Sequence, residues 1–406
     1  MKLKAFLGLL PRQEFVTEVA AVPYDVVDTR EARELAAGHP LNLLHVDRAE
    51  IDLPNDADPY GDAVYETAQR NFQRLIAEGV LVRETSQSIY LYQQEMNGRR
   101  QTGVLAACSV QDYADDIIRK HEKTRKVKED DRTRLVDALS AHTGPIFLTF
   151  RDQEPIQALI DATLRNTPHF DFTAADGVAH RLWRVEDPGA FVTAFGQVPL
   201  AYVADGHHRS ASAWRVGTQR AAANPHHDGS EDYNWFLGVL FPASHLQILP
   251  YNRLVLDLNG HTAAGLLEQI LAAGFSVTPA AAPTPDRPGN VHLYLGGTWH
   301  RIGWDAASIS DPVKSLDVSV LQDRILAPLL GIDDPRTNDR IEFVGGIRGT
   351  AELERRVDSG AAAAAFSLFP VTVEQLMAIA DAGEIMPPKS TWFEPKLRSG
   401  LVIQTF

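Results

Sequence analysis

The stretch Leu-Ala-Tyr-Val-Ala-Asp-Gly-His-His-Arg, residues 200–209, predicts a strand, a tight turn and the start of a helix. Its first five residues are apolar, and the residues after Arg209 are rich in alanine with helical spacing. A helix N-terminus presents unpaired backbone N–H groups and a partial positive charge, and a glycine lets the backbone approach a ligand closely. An ordinary helix cap is the alternative interpretation. We predict a phosphate-binding or nucleotide-binding site formed by Gly206, His207, His208 and Arg209.

Asp205 adds a carboxylate to this turn. A carboxylate here either caps the helix or holds a magnesium ion. Two histidines and an arginine directly after Asp-Gly exceed what capping needs, so we interpret Asp205 as a catalytic residue and as a ligand of Mg²⁺.

The composition describes a folded protein whose surface does not favour nucleic acid. The chain has 406 residues, which exceeds the usual size of a single hydrophobic core. A formal charge of -14 repels nucleic acid phosphates, so we expect no nucleic acid partner. No apolar stretch reaches membrane-spanning length, so no membrane partner is expected. The single cysteine, Cys108, cannot form an internal disulfide, and we expect a cytoplasmic location.

Turn and periodicity signals predict an α+β protein. A helix is expected over Tyr60 to Gly79, and Asn97-Gly98 is a strong hairpin signal. The composition changes near Asp257, where alanine-rich helix and proline-rich loop begin. The predicted domains are residues 1–100 (N-terminal α+β), residues 101–256 (with the turn described above) and residues 257–406 (C-terminal α/β).

A second cluster lies in the charged segment from Ile117 to Arg132, most of which is typical of a solvated helix face. His121-Glu122 resembles the start of the zinc-protease motif HExxH, but Arg125 stands where the second histidine is required, so zinc hydrolysis is not expected. Glu122 remains a candidate general base, provided that the fold brings it within reach of a hydroxyl group.

A third cluster is the proline-rich segment from Met386 to Lys396. One interpretation is an ordered loop that anchors the C-terminus. The other takes Lys389, Ser390 and Thr391 as phosphate or substrate ligands, because an ammonium group and two hydroxyls suit that role.

These motifs together resemble a known fold. His121-Glu122, followed by Gly144-Pro145-Ile146-Phe147 and then by residues 204–209, resembles the ParB/sulfiredoxin-type nucleotide fold as used by free serine kinases. With Pro23-Tyr24-Asp25-Val26, Asn42-Leu43 and residues 386–393 included, the chain resembles a long bacterial and archaeal family formerly of unknown function. The fold class that this implies is α+β, with a ParB/sulfiredoxin-like nucleotide-binding core and additional N-terminal and C-terminal α/β segments.

The resemblance also implies residue roles. In the serine kinases, the Asp-Gly-His-His-Arg element binds nucleotide phosphates, and a glutamate of the His-Glu segment activates the serine hydroxyl. Glu122 matches that base, and sulfinic acid reduction is not supported because His207 stands where sulfiredoxins place a cysteine. His121 and Thr124 are further nucleotide-site candidates. The resemblance and residue type suggest Tyr24, Asp25 and Arg48 as substrate contacts.

The function that these inferences favour is a kinase that phosphorylates free L-serine to O-phosphoserine, with Mg²⁺ and with ATP or ADP as the phosphoryl donor. A phosphoserine phosphatase using the same site and a non-catalytic ParB-type nucleotide switch remain open alternatives. The expected partners are a nucleotide and a small amino acid, and a homodimer is the assembly to test. The chain departs from the pattern by the roughly fifty residues between Phe150 and the strand at 201, and by Asn252 where histidine is expected.

Overall fold

The computed structural model describes every residue from Met1 to Phe406 and divides the chain into two compact units. The first unit comprises Met1–Leu246 together with Pro395–Phe406, and the second comprises Gln247–Glu394.

Strands and helices are numbered along the chain. The strands are β1 Leu3–Lys4, β2 Leu9–Pro11, β3 Leu81–Arg83, β4 Tyr90–Met96, β5 Arg99–Ser109, β6 Ile118–Arg119, β7 Ala141–His142, β8 Ile146–Phe150, β9 Phe170–Thr173, β10 Ala179–Arg184, β11 Ala201–Asp205, β12 Trp235–Pro242, β13 Ile248–Leu249, β14 Tyr251–Val255, β15 Ser276–Pro279, β16 Asn290–Leu295, β17 Thr298–Gly303, β18 Ile341–Gly345, β19 Ala364–Leu368, β20 Trp392–Phe393 and β21 Gln404–Thr405. The α-helices are α1 Val16–Val19, α2 Thr29–Ala36, α3 Leu44–Asp47, α4 Asp62–Ala77, α5 Val110–Ala114, α6 Lys126–Leu139, α7 Glu154–Thr163, α8 Pro188–Phe195, α9 His207–Ala223, α10 Ala263–Ala272, α11 Asp317–Leu321, α12 Ala327–Leu330, α13 Gly349–Asp358 and α14 Val373–Asp381.

A large mixed sheet organises the first unit. Eight of its strands follow the order β6-β11-β8-β12-β5-β4-β10-β9, and β1 pairs with β5 as the ninth. The pairs β11 with β6 and β12 with β8 are parallel, and the others are antiparallel. One hydrophobic core contains buried sheet residues such as Leu148 and Phe236, and a second includes Phe72 of α4 and Leu135 of α6. The fold is therefore mixed α/β.

Several local predictions are confirmed. The helix expected over 60–79 is α4, and it ends before Gly79, whose φ of 68° interrupts helical geometry. Asn97 and Gly98 have φ of 53° and 76°, as a two-residue hairpin turn requires, and they join β4 to β5.

The domain boundary expected at residue 100 falls inside this hairpin, because its paired strands carry the sheet across that position.

The second unit is built on an antiparallel sheet of six strands in the order β15-β17-β16-β19-β14-β18. A separate pair, β13 with β20, joins the start of this unit to its end. The short helices α11 and α12 are joined by a π-helical turn, Gln322–Leu326.

None of the helices combines the length and the apolar character needed to cross a membrane.

Candidate functional site

The pairing of the mixed sheet gathers three sequence motifs at one edge of the first unit. Because β11 and β6 are parallel neighbours, the residues that follow β6, His121 and Glu122, lie at the same sheet edge as those that follow β11. Strand β8 is antiparallel to β11, so the Gly144-Pro145 segment that precedes β8 reaches this edge as well. The motifs quoted from three distant parts of the chain therefore converge.

The turn after β11 has the geometry that the sequence predicts. Gly206 has a φ of 96°, a left-handed conformation that favours glycine, and α9 begins at His207. A Cβ atom at Gly206 would lie 3.2 Å from the Arg209 guanidinium, so a side chain here would also have to displace that guanidinium slightly. The Gly206 carbonyl accepts from Ser210 N at 2.9 Å, which closes the first turn of the helix.

His121, Glu122 and His207 form a compact cluster beside this turn. The two imidazole rings meet edge to face with centroids 4.5 Å apart, and Glu122 Oε2 lies 4.0 Å from His207 Nδ1. His121 is 2% exposed and His207 is 6% exposed, whereas the Glu122 side chain is 37% exposed. The cluster thus places a partly accessible carboxylate against two buried rings.

Burial keeps both histidines neutral. It lowers the pKa of His207 to about 4 and, together with the neighbouring His207, holds the pKa of His121 well below its ordinary value. The buried atoms His121 Nδ1 and His207 Nε2 have no hydrogen-bond partner within the protein. At neutral pH these rings act as hydrogen-bonding groups rather than as cations.

Asp205 and Arg209 supply the fixed charges of the site. Burial raises the pKa of the Asp205 carboxyl, but Lys396 and Arg209 outweigh it and hold that pKa well below its ordinary value. Lys396 Nζ donates to Asp205 Oδ2 at 2.9 Å. Arg209 donates to the Pro145 carbonyl. Burial lowers the pKa of Arg209, but the charges of Asp25 and Asp205 outweigh burial, so the pKa is raised above its ordinary value. Both side chains are therefore charged at neutral pH.

Two of the three predicted substrate residues, Tyr24 and Asp25, lie near Arg209. Tyr24 and Asp25 both act on the Arg209 charge, which puts the Pro23-Val26 motif beside the α9 turn. Tyr24 is buried, and desolvation raises the pKa of its hydroxyl above the ordinary value. Arg48 donates to the Tyr24 carbonyl at 3.1 Å and to Thr29 Oγ1 at 2.9 Å, and its Nε lies 2.8 Å from Glu50 Oε1. In this structure Arg48 holds the backbone that carries Tyr24.

The other predicted residues have different environments. His208 Nε2 accepts from Arg125 N at 3.0 Å, and Thr124 Oγ1 donates to Glu129 Oε2 at 2.6 Å, so both hold the segment before α6. Lys389, Ser390 and Thr391 belong to the second unit. There, Ser390 Oγ donates to the Pro387 carbonyl at 2.6 Å, and Lys389 Nζ lies 5.5 Å from the centre of the Tyr251 ring.

Sequence reasoning missed three residues that support the site. Lys396 lies in the proline-rich segment, but nothing local connects it with Asp205. Arg132 stacks over the Tyr24 ring at 4.1 Å and donates to the Asp47 carbonyl at 2.9 Å. Asp47 is buried and accepts from Thr143 Oγ1 at 2.5 Å. Its charged residue type in a short helix was the only signal available.

The solved structures that match this one in a structural comparison share little sequence with this chain. A free serine kinase in complex with AMP is 12% identical, and the alignment covers 74% of this chain and 91% of that chain with a TM-score of 0.38. A conserved hypothetical protein from Pyrococcus furiosus is 14% identical, over 74% and 95% of the two chains, with a TM-score of 0.37. C-terminally truncated SbnI from Staphylococcus aureus is 12% identical, over 71% and 82%, with a TM-score of 0.38.

No curated protein matches this sequence. A family profile does match it, over residues 3–319, which include every motif of the first unit except the C-terminal segment with Lys396. The chain therefore belongs to the family described as "Protein of unknown function (DUF1015)".

Proposed function

We propose that the protein is a nucleotide-dependent phosphotransferase that converts free L-serine to O-phosphoserine. The observation that carries this proposal is the position of Glu122, whose Oε2 lies 4.0 Å from His207 Nδ1 in the first turn of α9. A candidate base thus adjoins the helix N-terminus at which a phosphate is best stabilised.

In the proposed reaction, Glu122 accepts the proton of the serine hydroxyl. The serine oxygen forms a bond to the terminal phosphorus of the nucleotide, and the bond from that phosphorus to its bridging oxygen breaks. The nucleotide leaves with one phosphate fewer. Positioning and charge neutralisation carry most of such a reaction, so the base needs only to be held close to the hydroxyl.

The chain's own groups suit the parts of this reaction. The backbone N–H groups after Gly206 and the guanidinium of Arg209 would bind the phosphates, and the imidazoles of His207 and His208 would add hydrogen bonds. Asp25 is exposed and carries the charge that the ammonium group of serine needs. Tyr24 and Arg48 would hold this contact in place.

Asp205 is the residue proposed to hold magnesium. Its Oδ2 is paired with Lys396, so Oδ1 is the oxygen left for a cation. When bound, Mg²⁺ neutralises charge on the transferred phosphate. Contacts from Lys389, Ser390 and Thr391 to phosphate stay a prediction.

The test is phosphorus NMR of the protein with Mg²⁺, ATP or ADP, and L-serine. We expect a phosphoserine signal from the unaltered protein and a loss of roughly 10²-fold or more in Glu122→Gln, with nucleotide still bound, because a general base contributes about that much. Glu66→Gln is the matched control, since Glu66 is an exposed glutamate on α4 of the same unit.

Each other outcome has a distinct meaning. Full activity in Glu122→Gln would refute the role of Glu122. Free phosphate produced only from phosphoserine supplied alone would identify the phosphatase. Bound nucleotide with no turnover of either amino acid would favour the nucleotide switch.

A further inference from the structure

A group of metal-binding side chains lies at the sheet edge where β6 and β11 end. His121, Glu122 and His207 each offer one ligand atom, and these three atoms lie within 4.8 Å of one another. The local sequence lacks the second histidine of the HExxH motif, since Arg125 stands at its position. The parallel pairing of β6 with β11 brings His207 to this segment. A residue distant in the chain therefore supplies the imidazole that the motif lacks.

Each of the two imidazole rings has a buried nitrogen without a partner. His121 is 2% exposed and His207 is 6% exposed, and the partnerless atoms are His121 Nδ1 and His207 Nε2. His121 makes a hydrogen bond to the Val203 backbone, which leaves Nδ1 as the nitrogen with a lone pair. In metal sites the second nitrogen of a histidine ligand is commonly held in this way by a backbone carbonyl. Buried polar atoms without partners are costly, and a bound metal ion would satisfy them.

The spacing of the ligand atoms suits a small divalent cation. Glu122 Oε2 lies 4.0 Å from His207 Nδ1, and the centroids of the two imidazole rings are 4.5 Å apart. In a tetrahedral zinc site with bonds of about 2.0–2.2 Å, ligand atoms lie about 3.4 Å from one another. The ligand atoms therefore have to approach by about 1 Å. The Glu122 side chain is 37% exposed, so it can make this movement without repacking the core.

The donor set selects a transition metal rather than Mg²⁺. Mg²⁺ prefers oxygen ligands in octahedral geometry, whereas imidazole nitrogen suits zinc and its neighbours. Two histidines and a glutamate are the protein ligands of one common class of zinc site, in which the fourth position stays open to water or another small ligand. The Mg²⁺ proposed at Asp205 is thus a different ion at a different residue.

We propose that His121, Glu122 and His207 bind one Zn²⁺ ion per chain. The site does not depend on the proposed phosphotransfer, because all three ligands belong to the protein. A Glu122 oxygen that coordinates zinc cannot accept the proton of a hydroxyl. Bound zinc therefore switches the phosphotransfer off, and this consequence alone rests on the proposed function.

The test is titration of the metal-free full chain with Co²⁺ and then with Zn²⁺, without nucleotide or serine. Cobalt replaces zinc in such sites, and its visible absorption reports a low coordination number. We expect this absorption to saturate at one Co²⁺ per chain and to disappear when one equivalent of Zn²⁺ is added, because these ligands bind zinc more tightly than cobalt. An excess of Mg²⁺ should leave the absorption unchanged.

Two variants each remove one ligand. In Glu122→Gln and in His207→Gln we expect the affinity for Zn²⁺ to fall by about 100-fold or more, because loss of a residue that only orients a ligand already costs about 10–100-fold. His226→Gln, at an exposed histidine of the same unit, is the matched control and should bind zinc like the unaltered protein. If His207→Gln does not fold, Glu122→Gln decides, since that side chain is partly exposed.

The outcomes for the metal site and for the phosphotransfer are separate. No visible cobalt absorption, equal zinc affinity in Glu122→Gln and the unaltered protein, or zinc binding lost in His226→Gln would overturn the proposal. In phosphorus NMR with Mg²⁺, nucleotide and L-serine, one equivalent of Zn²⁺ should abolish phosphoserine formation. Continued formation with zinc bound would contradict the role of Glu122 as base, whereas the metal site is judged by the titrations alone.

Discussion

The individual side chains of the first unit divide into those that carry charge and those that burial keeps neutral. His121 and His207 are neutral because desolvation lowers their pKa values. Asp205 stays charged because Lys396 and Arg209 outweigh the effect of burial on its pKa. The half-buried carboxylate of Asp205 therefore owes its charge in part to Lys396, a residue near the C-terminus.

Replacement of Lys396 should destabilise the fold. Lys396→Met leaves the Asp205 carboxylate without its ammonium partner, and we expect a loss of about 1–3 kcal/mol of unfolding free energy at neutral pH. The folded-state pKa of Asp205 is lowered, so its stabilisation is present above the unfolded pKa of about 3.9 and is lost as pH falls through the folded value. The difference from the unaltered protein should thus shrink in acid. Urea unfolding at several pH values measures this difference in unfolding free energy. Lys314→Met, at an exposed lysine, is the control. A difference between Lys396→Met and the unaltered protein that grows in acid would contradict the pairing of Lys396 with Asp205.

Replacement of Gly206 should weaken the site through its backbone conformation and its contact with Arg209. Gly206→Ala forces a side chain into left-handed backbone, at about 1–2 kcal/mol, and presses it against the Arg209 guanidinium at 3.2 Å. We expect lower stability and weaker nucleotide binding. Gly177→Ala is the control, because Gly177 has a φ of 80° but open space around it. Equal nucleotide affinity in the two variants would show that the contact with Arg209 does not matter.

Among the helices, α9 has a constraint that propensity alone would misjudge. Gly217 lies in its interior, where alanine would ordinarily be more favourable by about 1 kcal/mol. A Cβ atom there would lie 2.7 Å from the Tyr233 carbonyl oxygen and 3.4 Å from Val110 Cγ2. The backbone of Tyr233 cannot move aside at low cost, so close packing decides whether alanine at this position stabilises or destabilises the protein.

We therefore expect Gly217→Ala to destabilise the protein by about 1–2 kcal/mol, since overpacking costs of about 1–3 kcal/mol exceed the propensity gain. The measurement is the midpoint of thermal or urea unfolding. Thr218→Ala, at the next and exposed position of the helix, should change the unfolding free energy by less than about 0.5 kcal/mol. A stabilised Gly217→Ala variant would mean that α9 packs less closely than the structure has it.

For the molecule as a whole, the last residues complete the unit that contains the N-terminus. Pro395–Phe406 belong to the first unit, where Lys396 pairs with Asp205 and Arg398 with Asp176. Gln404 Nε2 donates to the Trp235 carbonyl at 3.1 Å, and β21 pairs with β7. The first unit is thus assembled from two separate parts of the chain.

A chain that ends at Glu394 should lose much of the stability of the first unit. It lacks two ion pairs and a strand pairing, and we expect a loss of more than about 3 kcal/mol, with much weaker nucleotide binding. Scanning calorimetry and nucleotide titration measure the two effects. Removal of Phe406 alone is the control and should have a much smaller effect. An unaltered unfolding temperature in the shortened chain would show that this segment adds no stability.

Local features were readable from the sequence because they depend on neighbouring residues. The strand, glycine turn and helix at 201–223 follow from an apolar run, a residue able to adopt positive φ and helical spacing. The hairpin at Asn97-Gly98 follows from turn chemistry in the same way.

The composition of the site was decided by tertiary structure. Parallel pairing of β6 with β11 brings Glu122 to His207, and the return of the C-terminal segment brings Lys396 to Asp205. Periodicity and turn chemistry describe how a segment folds against its neighbours in sequence. They carry no information on which distant segment it meets, because that choice depends on the packing of the whole unit.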